Sequence, residues 1–121
     1  MKIEEIDGEF SVCRVGDYSG VDLESEYVFT GRTDGERSLV CRTEKVPGNA
    51  VSVSDGWRAF RVGGELDFSI VGLLAKISAA LSEKGIAMFA ISTYNTDYVL
   101  VKKENFAEAV RAASDAVRIF H

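Results

Sequence analysis

Between Ile91 and Tyr98 the chain reads Ser92, Thr93, Tyr94, Asn95, Thr96, Asp97, which gathers a carboxylate, three aliphatic hydroxyls, an amide and a phenol in one short segment. Reversing a chain between two strands needs little more than a pair such as Asn-Gly. Two reasons for the surplus stand open. The groups could meet the polar atoms of a ligand, or Asp97 and its neighbours could bond only their own backbone, as Asp, Ser and Thr do in turns.

A second stretch with binding chemistry is Asp67 to Gly72, DFSIVG, placed where a helix is expected to start. A helix N-terminus offers unpaired backbone N–H groups and the positive end of a dipole, a ready receiver for a carboxylate. Gly72 would allow close approach of a ligand, or equally close packing of the helix on a sheet. Asp67 and Ser69 also read as helix caps.

Other chemistries find few residues. The single histidine is the terminal His121, and the two cysteines, Cys13 and Cys41, each sit in Val-Cys-Arg within strand-like runs. They read as small buried hydrophobes rather than as a disulfide or a redox pair. Clustered Cys/His zinc sites and Ser-His or Cys-His nucleophile pairs therefore lack their parts. A hydrolase built on Asp97 and a cysteine is disfavoured, because no base, metal set or phosphate loop has the needed spacing. No enzyme activity and no cofactor are expected.

The elements that must position these groups follow from periodicity. With 121 residues, 46% of them hydrophobic, the chain suits one continuous core. Nineteen acidic against fourteen basic residues leave a formal charge of -5, which opposes binding to nucleic acid or to anionic lipid. MKIEEIDGEF is too acidic for a signal peptide and no apolar run has membrane-spanning length, so the cytoplasm is the expected compartment.

WRAFRV, Trp57 to Val62, alternates as a strand with one buried face, and Trp57 is expected in the core. From Phe68 to Lys84, Ile70, Leu73, Leu74, Ile77 and Leu81 recur at helical spacing, and Gly85-Ile86 is a left-handed helix stop. AMFAIS and DYVLVK read as strands around the polar segment. Phe106, Ala109, Val110 and Ala113 mark a second helix, and VRIF, Val117 to Phe120, reads as a last strand. Strand, helix, strand, strand, helix, strand with both helices on one face is the ferredoxin-like arrangement, an α+β fold.

The first half looks like a trimmed copy. At an offset of 60 residues Phe29 falls on Phe89, Thr33 on Thr93, Glu44 on Glu104, and Leu39-Val40 on Val99-Leu100. FSVCRV would match WRAFRV, followed by a short turn or helix over Asp17–Glu26. Pro47, Gly48 and Asn49 favour a loop across Glu44–Gly56. In the copy, TGRTDGER, with Asp34-Gly35 at its turn, takes the place of the polar segment and reads as a hairpin or as a second, degenerate site. The expected organisation is a truncated unit over 1–55 and a complete one over 56–121, sharing one core. Sheet left bare in the truncated unit would be covered by the other unit or by another chain.

Phe68 to Thr93, FSIVGLLAKISAALSEKGIAMFAIST, resembles the ACT domain, the small amino-acid-sensing regulatory module. The likeness lies in Gly72 just inside the helix, the Leu73-Leu74-Ala75 run, Ile77 and Leu81 along the stripe, and Gly85-Ile86 leading into a strand. Val71 stands where the common ACT pattern has proline. With ISTYNTDYVLV, this is most similar to small bacterial two-unit ACT proteins and to the CASTOR-type sensors built of four such units. The resemblance is strong over residues 57 to 120 and loose before that. It implies a non-enzymatic regulator that binds an amino acid through Asp67, Phe68, Ser69, Ile70, Val71, Gly72, Thr93, Tyr94 and Asp97. In that pattern Thr93 would orient the ligand, Tyr94 cover its apolar atoms and Asp97 pair with a cationic group, such as that of a basic amino acid. A homodimer is expected, because the truncated unit leaves sheet uncovered and two chains would supply the four units of the CASTOR-type arrangement. The alternative is an ACT-like interaction module that has lost its ligand.

Overall fold

The computed structural model describes residues 2–63 and 72–118. Six strands and two helices follow one another as β1 (Lys2–Val15), β2 (Phe29–Arg32), β3 (Arg37–Arg42), β4 (Ala50–Gly63), α1 (Leu73–Glu83), β5 (Phe89–Ser92), β6 (Asp97–Lys102) and α2 (Phe106–Val117). Short 3-10 turns, Thr43–Lys45 and Lys103–Asn105, follow β3 and β6. The chain divides into two compact units, Gly8–Trp57 and Met1–Asp7 with Arg58–His121. Both long strands cross that division. Each carries a glycine of positive φ, Gly8 (φ 95) in β1 and Gly56 (φ 82) in β4, a conformation that costs glycine nothing.

In the C-terminal unit the strand order is β1-β4-β6-β5. Its core joins Phe60 and Val62 of β4 and Val99 and Val101 of β6 to Leu73, Ile77 and Leu81 of α1 and Phe106, Ala109, Ala113 and Val117 of α2. Alternate strand residues share a face, so both helices lie on one side of this sheet, and they pack against each other. Burying side chains such as Phe60, Ile77 and Leu81, each at 0% exposure, contributes about 1.5–3 kcal/mol apiece. The α1 stop is a Schellman turn, with Gly85 N–H donating to Ser82 O and Ile86 N–H to Leu81 O, both at 3.0 Å. Ile86 then joins Leu81 in the core.

The last strand of this unit is not where the sequence pattern put it. Val117 continues the buried stripe of α2, and Arg118 follows in a 3-10 turn. Ile119 and Phe120 lie outside the described residues. The edge next to β4 is taken instead by the first part of β1, held by Glu4 Oε1, which accepts from Arg61 Nε at 2.9 Å. Arg61 Nη1 in turn donates to the Tyr98 hydroxyl at 3.2 Å.

In the N-terminal unit the order is β2-β3-β1-β4. The expected loop over Glu44–Gly56 is confined to the turn around Pro47–Asn49, and β4 begins at Ala50. Val51 and Val53 are 60% and 45% exposed, which is why this stretch lacks a buried-strand signature. Among the described residues no helix covers this sheet. Turns over 16–28 do so instead, with Tyr18, Val21 and Val28 packed on Cys13, Val15, Leu39 and Cys41. The face expected to be met by the other unit or by another chain is thus covered by the unit's own loop. Tyr18 Oη fixes that loop by donating to Ser38 O at 2.9 Å, and Asn49 Nδ2 donates to Asp17 O at 3.2 Å. Both cysteines are free and buried. Trp57 is half-buried rather than core, its indole N–H donating to Ser54 Oγ at 3.1 Å.

Candidate functional site: the 92–97 hairpin and the start of α1

β5 and β6 pair antiparallel, with Ser92 opposite Asp97 at the last rung. Most of the polar surplus has local work. Thr93 N–H donates to Thr96 O at 2.8 Å, Thr93 Oγ1 donates to the same carbonyl at 3.0 Å and accepts from Thr96 N–H at 3.4 Å. Ser92 Oγ donates to Asp97 Oδ1 at 2.6 Å and secures the rung.

Thr96 does something that sequence reasoning missed. Its Oγ1 donates to Val62 O at 2.7 Å, tying the hairpin to the end of β4 from which the chain runs toward α1. The Thr-x-x-Thr spacing explains the turn, but not this second, long-range bond. Next to Val62, a Cβ on Gly63 would meet the Glu4 carboxylate, so a larger residue there would oblige that half-exposed side chain to move.

α1 starts at Gly72, which has φ 83 and no side-chain cap, and whose carbonyl accepts from Lys76 N–H at 2.9 Å. Among the described residues nothing lies within 4 Å of a Cβ built on Gly72. The glycine therefore serves the left-handed turn into the helix, and packing against the sheet is not its reason. Asp67, Phe68, Ser69, Ile70 and Val71 lie outside the described residues, as does any cap that Asp67 or Ser69 would supply.

Of the remaining candidates, Thr93 bonds Thr96 within the turn, whereas Asp97 stands opposite Ser92 on the rung below. Asp97 alternates in phase with Val99 and Val101, which places it on the helix side of the sheet. Tyr94 is 85% exposed at the tip. Among the described residues no cluster of His, Cys, Asp and Glu could hold a metal ion.

The N-terminal unit carries the same hairpin at an offset of 60 residues, element for element: β2 on β5, β3 on β6, and the 3-10 turn Thr43–Lys45 on Lys103–Asn105. The register is copied too, with Phe29 opposite Val40 and Phe89 opposite Leu100. Thr33 repeats the role of Thr93, its N–H donating to Glu36 O at 2.9 Å. The last rung differs: Arg32 opposite Arg37 stands where Ser92 opposite Asp97 stands in the other unit.

The family profile described as "ACT domain" matches residues 52–115, more than half of the chain. This chain belongs to the ACT domain family. Cytosolic arginine sensor for mTORC1 subunit 1 from Homo sapiens is 31% identical to this ACT protein over 84 residues, 64% of this chain and 26% of that one. The chain thus spans about a quarter of the length of the curated relatives it matches. A crystal structure of a protein from Agobacterium tumefaciens, 26% identical, covers 95% of this chain and 87% of its own with a TM-score of 0.82. The ligand-free regulatory subunit of aspartate kinase from Thermus thermophilus shares the fold, with a TM-score of 0.67 at 12% identity over 96% of this chain and 97% of that one. No described helix is long and apolar enough to cross a membrane.

Proposed function

We propose that this ACT protein is a non-enzymatic cytoplasmic regulator that binds an amino acid in its C-terminal unit, between the start of α1 and the 92–97 hairpin, and acts as a homodimer. The observation that carries the reading is the Thr96 Oγ1 bond to Val62 O at 2.7 Å, because it holds the polar hairpin at the end of β4 that leads into α1. Among the described residues no side chain caps α1, and its first N–H groups and dipole would suit the ligand carboxylate, with Asp67, Phe68, Ser69, Ile70 and Val71 as the candidates that precede Gly72 in sequence. Asp97, on the helix side of the sheet, would meet the ammonium or a basic side chain, with Thr93 orienting it and Tyr94 closing over apolar atoms. The human relative is by name an arginine sensor, which makes arginine the first amino acid to try. The dimer rests on the four-unit likeness and on closed two-fold pairing being the commonest assembly.

A second reading, an interaction module without ligand, is favoured by Asp97 already accepting from Ser92 Oγ at 2.6 Å. A thermal-shift screen of the twenty amino acids separates the two. Ligand at about a hundred times its Kd adds about 2.7 kcal/mol, a shift of several degrees. A flat screen overturns the binding proposal and leaves the interaction module.

A further inference from the structure

The two hairpins share turn, register and threonine anchor but carry opposite chemistry on their last rung. Arg32 and Arg37 stand directly opposite each other, so their Cβ atoms are about 4.5–5.5 Å apart and their like charges destabilise the rung. Neither guanidinium makes a hydrogen bond or an ion pair among the described residues. The carboxylate that feels Arg37 is Asp17, for which it is the weakest of several influences, and whose Oδ1 accepts from Ser19 Oγ at 2.5 Å, Ser19 N–H at 2.9 Å and Asn49 Nδ2 at 3.1 Å. Within the turn, Glu36 accepts from the Ser38 hydroxyl, and Asp34 lies at the tip. By strand alternation Arg32 and Arg37 share the side of the sheet that holds Leu39 and Cys41, whereas Glu36 and Ser38 belong to the other side.

We propose that the Arg32–Arg37 rung is a binding site for a small soluble oxyanion, a carboxylate or a phosphate, which the two guanidinium forks grip together. Planar forks suit the oxygens of either group and take them in bidentate fashion. An anion seated between them turns the repulsion across the rung into two attractions. The equivalent rung of the other unit, Ser92 with Asp97, carries the opposite charge and rejects the same ligand. All the groups involved lie in the N-terminal unit, so this site stands or falls apart from the amino-acid site.

The test compares the melting midpoint in sodium phosphate, sodium succinate and sodium chloride at matched ionic strength. A double variant, Arg32→Ser with Arg37→Asp, installs the rung that the other hairpin already uses. Wild type is expected to gain more from phosphate or succinate than from chloride, and the variant to lose that difference. Phosphate against succinate tells which oxyanion is preferred. In ¹⁵N spectra, the arginine Nε signals of Arg32 and Arg37 are expected to shift on titration with the preferred anion. General salting effects of phosphate act on both proteins alike. Equal responses of wild type to all three salts, or an oxyanion gain that persists in the variant, overturns the proposal. Should the double variant fail to fold, Arg37→Gln removes one fork, and an Nε titration of Arg32 as tight as in wild type overturns it equally.

Discussion

Replacing Thr96 by Val keeps shape and volume while deleting the hydroxyl that donates to Val62 O at 2.7 Å. Val62 is 1% exposed, so water cannot take over. A hydrogen bond contributes about 0.5–1.5 kcal/mol net, and leaving a buried acceptor unmet costs about 1–3 kcal/mol, so a loss of about 1–2 kcal/mol is expected. For a chain of this length that is a fall in the melting midpoint of roughly 3–10 °C. Urea unfolding followed by circular dichroism reads the stability. Calorimetric titration with the amino acid found by the thermal screen reads the site, where affinity should drop because the hairpin is no longer held to the end of β4. Thr96→Ser keeps the donor and should restore both. If Thr96→Val melts and binds as wild type does, or if the serine variant is as impaired as the valine one, the bond is not what positions the hairpin.

Three further outcomes are expected. Asp97→Asn keeps an acceptor for Ser92 Oγ, so the fold should hold, while affinity for a cationic ligand falls by about 2–5 kcal/mol if the pair is buried; calorimetry showing unchanged affinity counts against Asp97 as the cation partner. Burial, then the neighbouring Cys13 thiol and Glu44, push the Cys41 thiol up from 9.0 to about 11. Below pH 9 both folded and unfolded chains hold that proton; above it only the folded one does, so stability should fall by up to about 3 kcal/mol as pH rises through the 9–11 window. Urea midpoints across that range should show a shallower fall in Cys41→Ala than in wild type. For the assembly, light scattering should give about twice the 13.2 kDa chain mass, and a monomer at micromolar concentration would remove the dimer from the proposal.

What the residues determine alone is what depends on neighbours along the chain. The stripe of Leu73, Ile77 and Leu81, the Gly85-Ile86 stop, the strand Asp97–Lys102 and the 60-residue repeat of the two hairpins are all legible, because helical period, turn chemistry and strand alternation act within a few residues. The resemblance at Phe68–Thr93 likewise pointed to the ACT family from the same local pattern. Tertiary structure decided which strand closes each sheet and what the polar residues bond. The first part of β1, not the segment after α2, takes the edge beside β4, since strand pairing joins residues far apart in sequence and leaves no mark in local period. The same holds for single residues. Thr96 donates to a carbonyl 34 positions away, and the Glu4 carboxylate lies across the sheet from Gly63. No spacing rule could have matched those partners, because each exists only once the chain has brought two distant segments within a few ångströms.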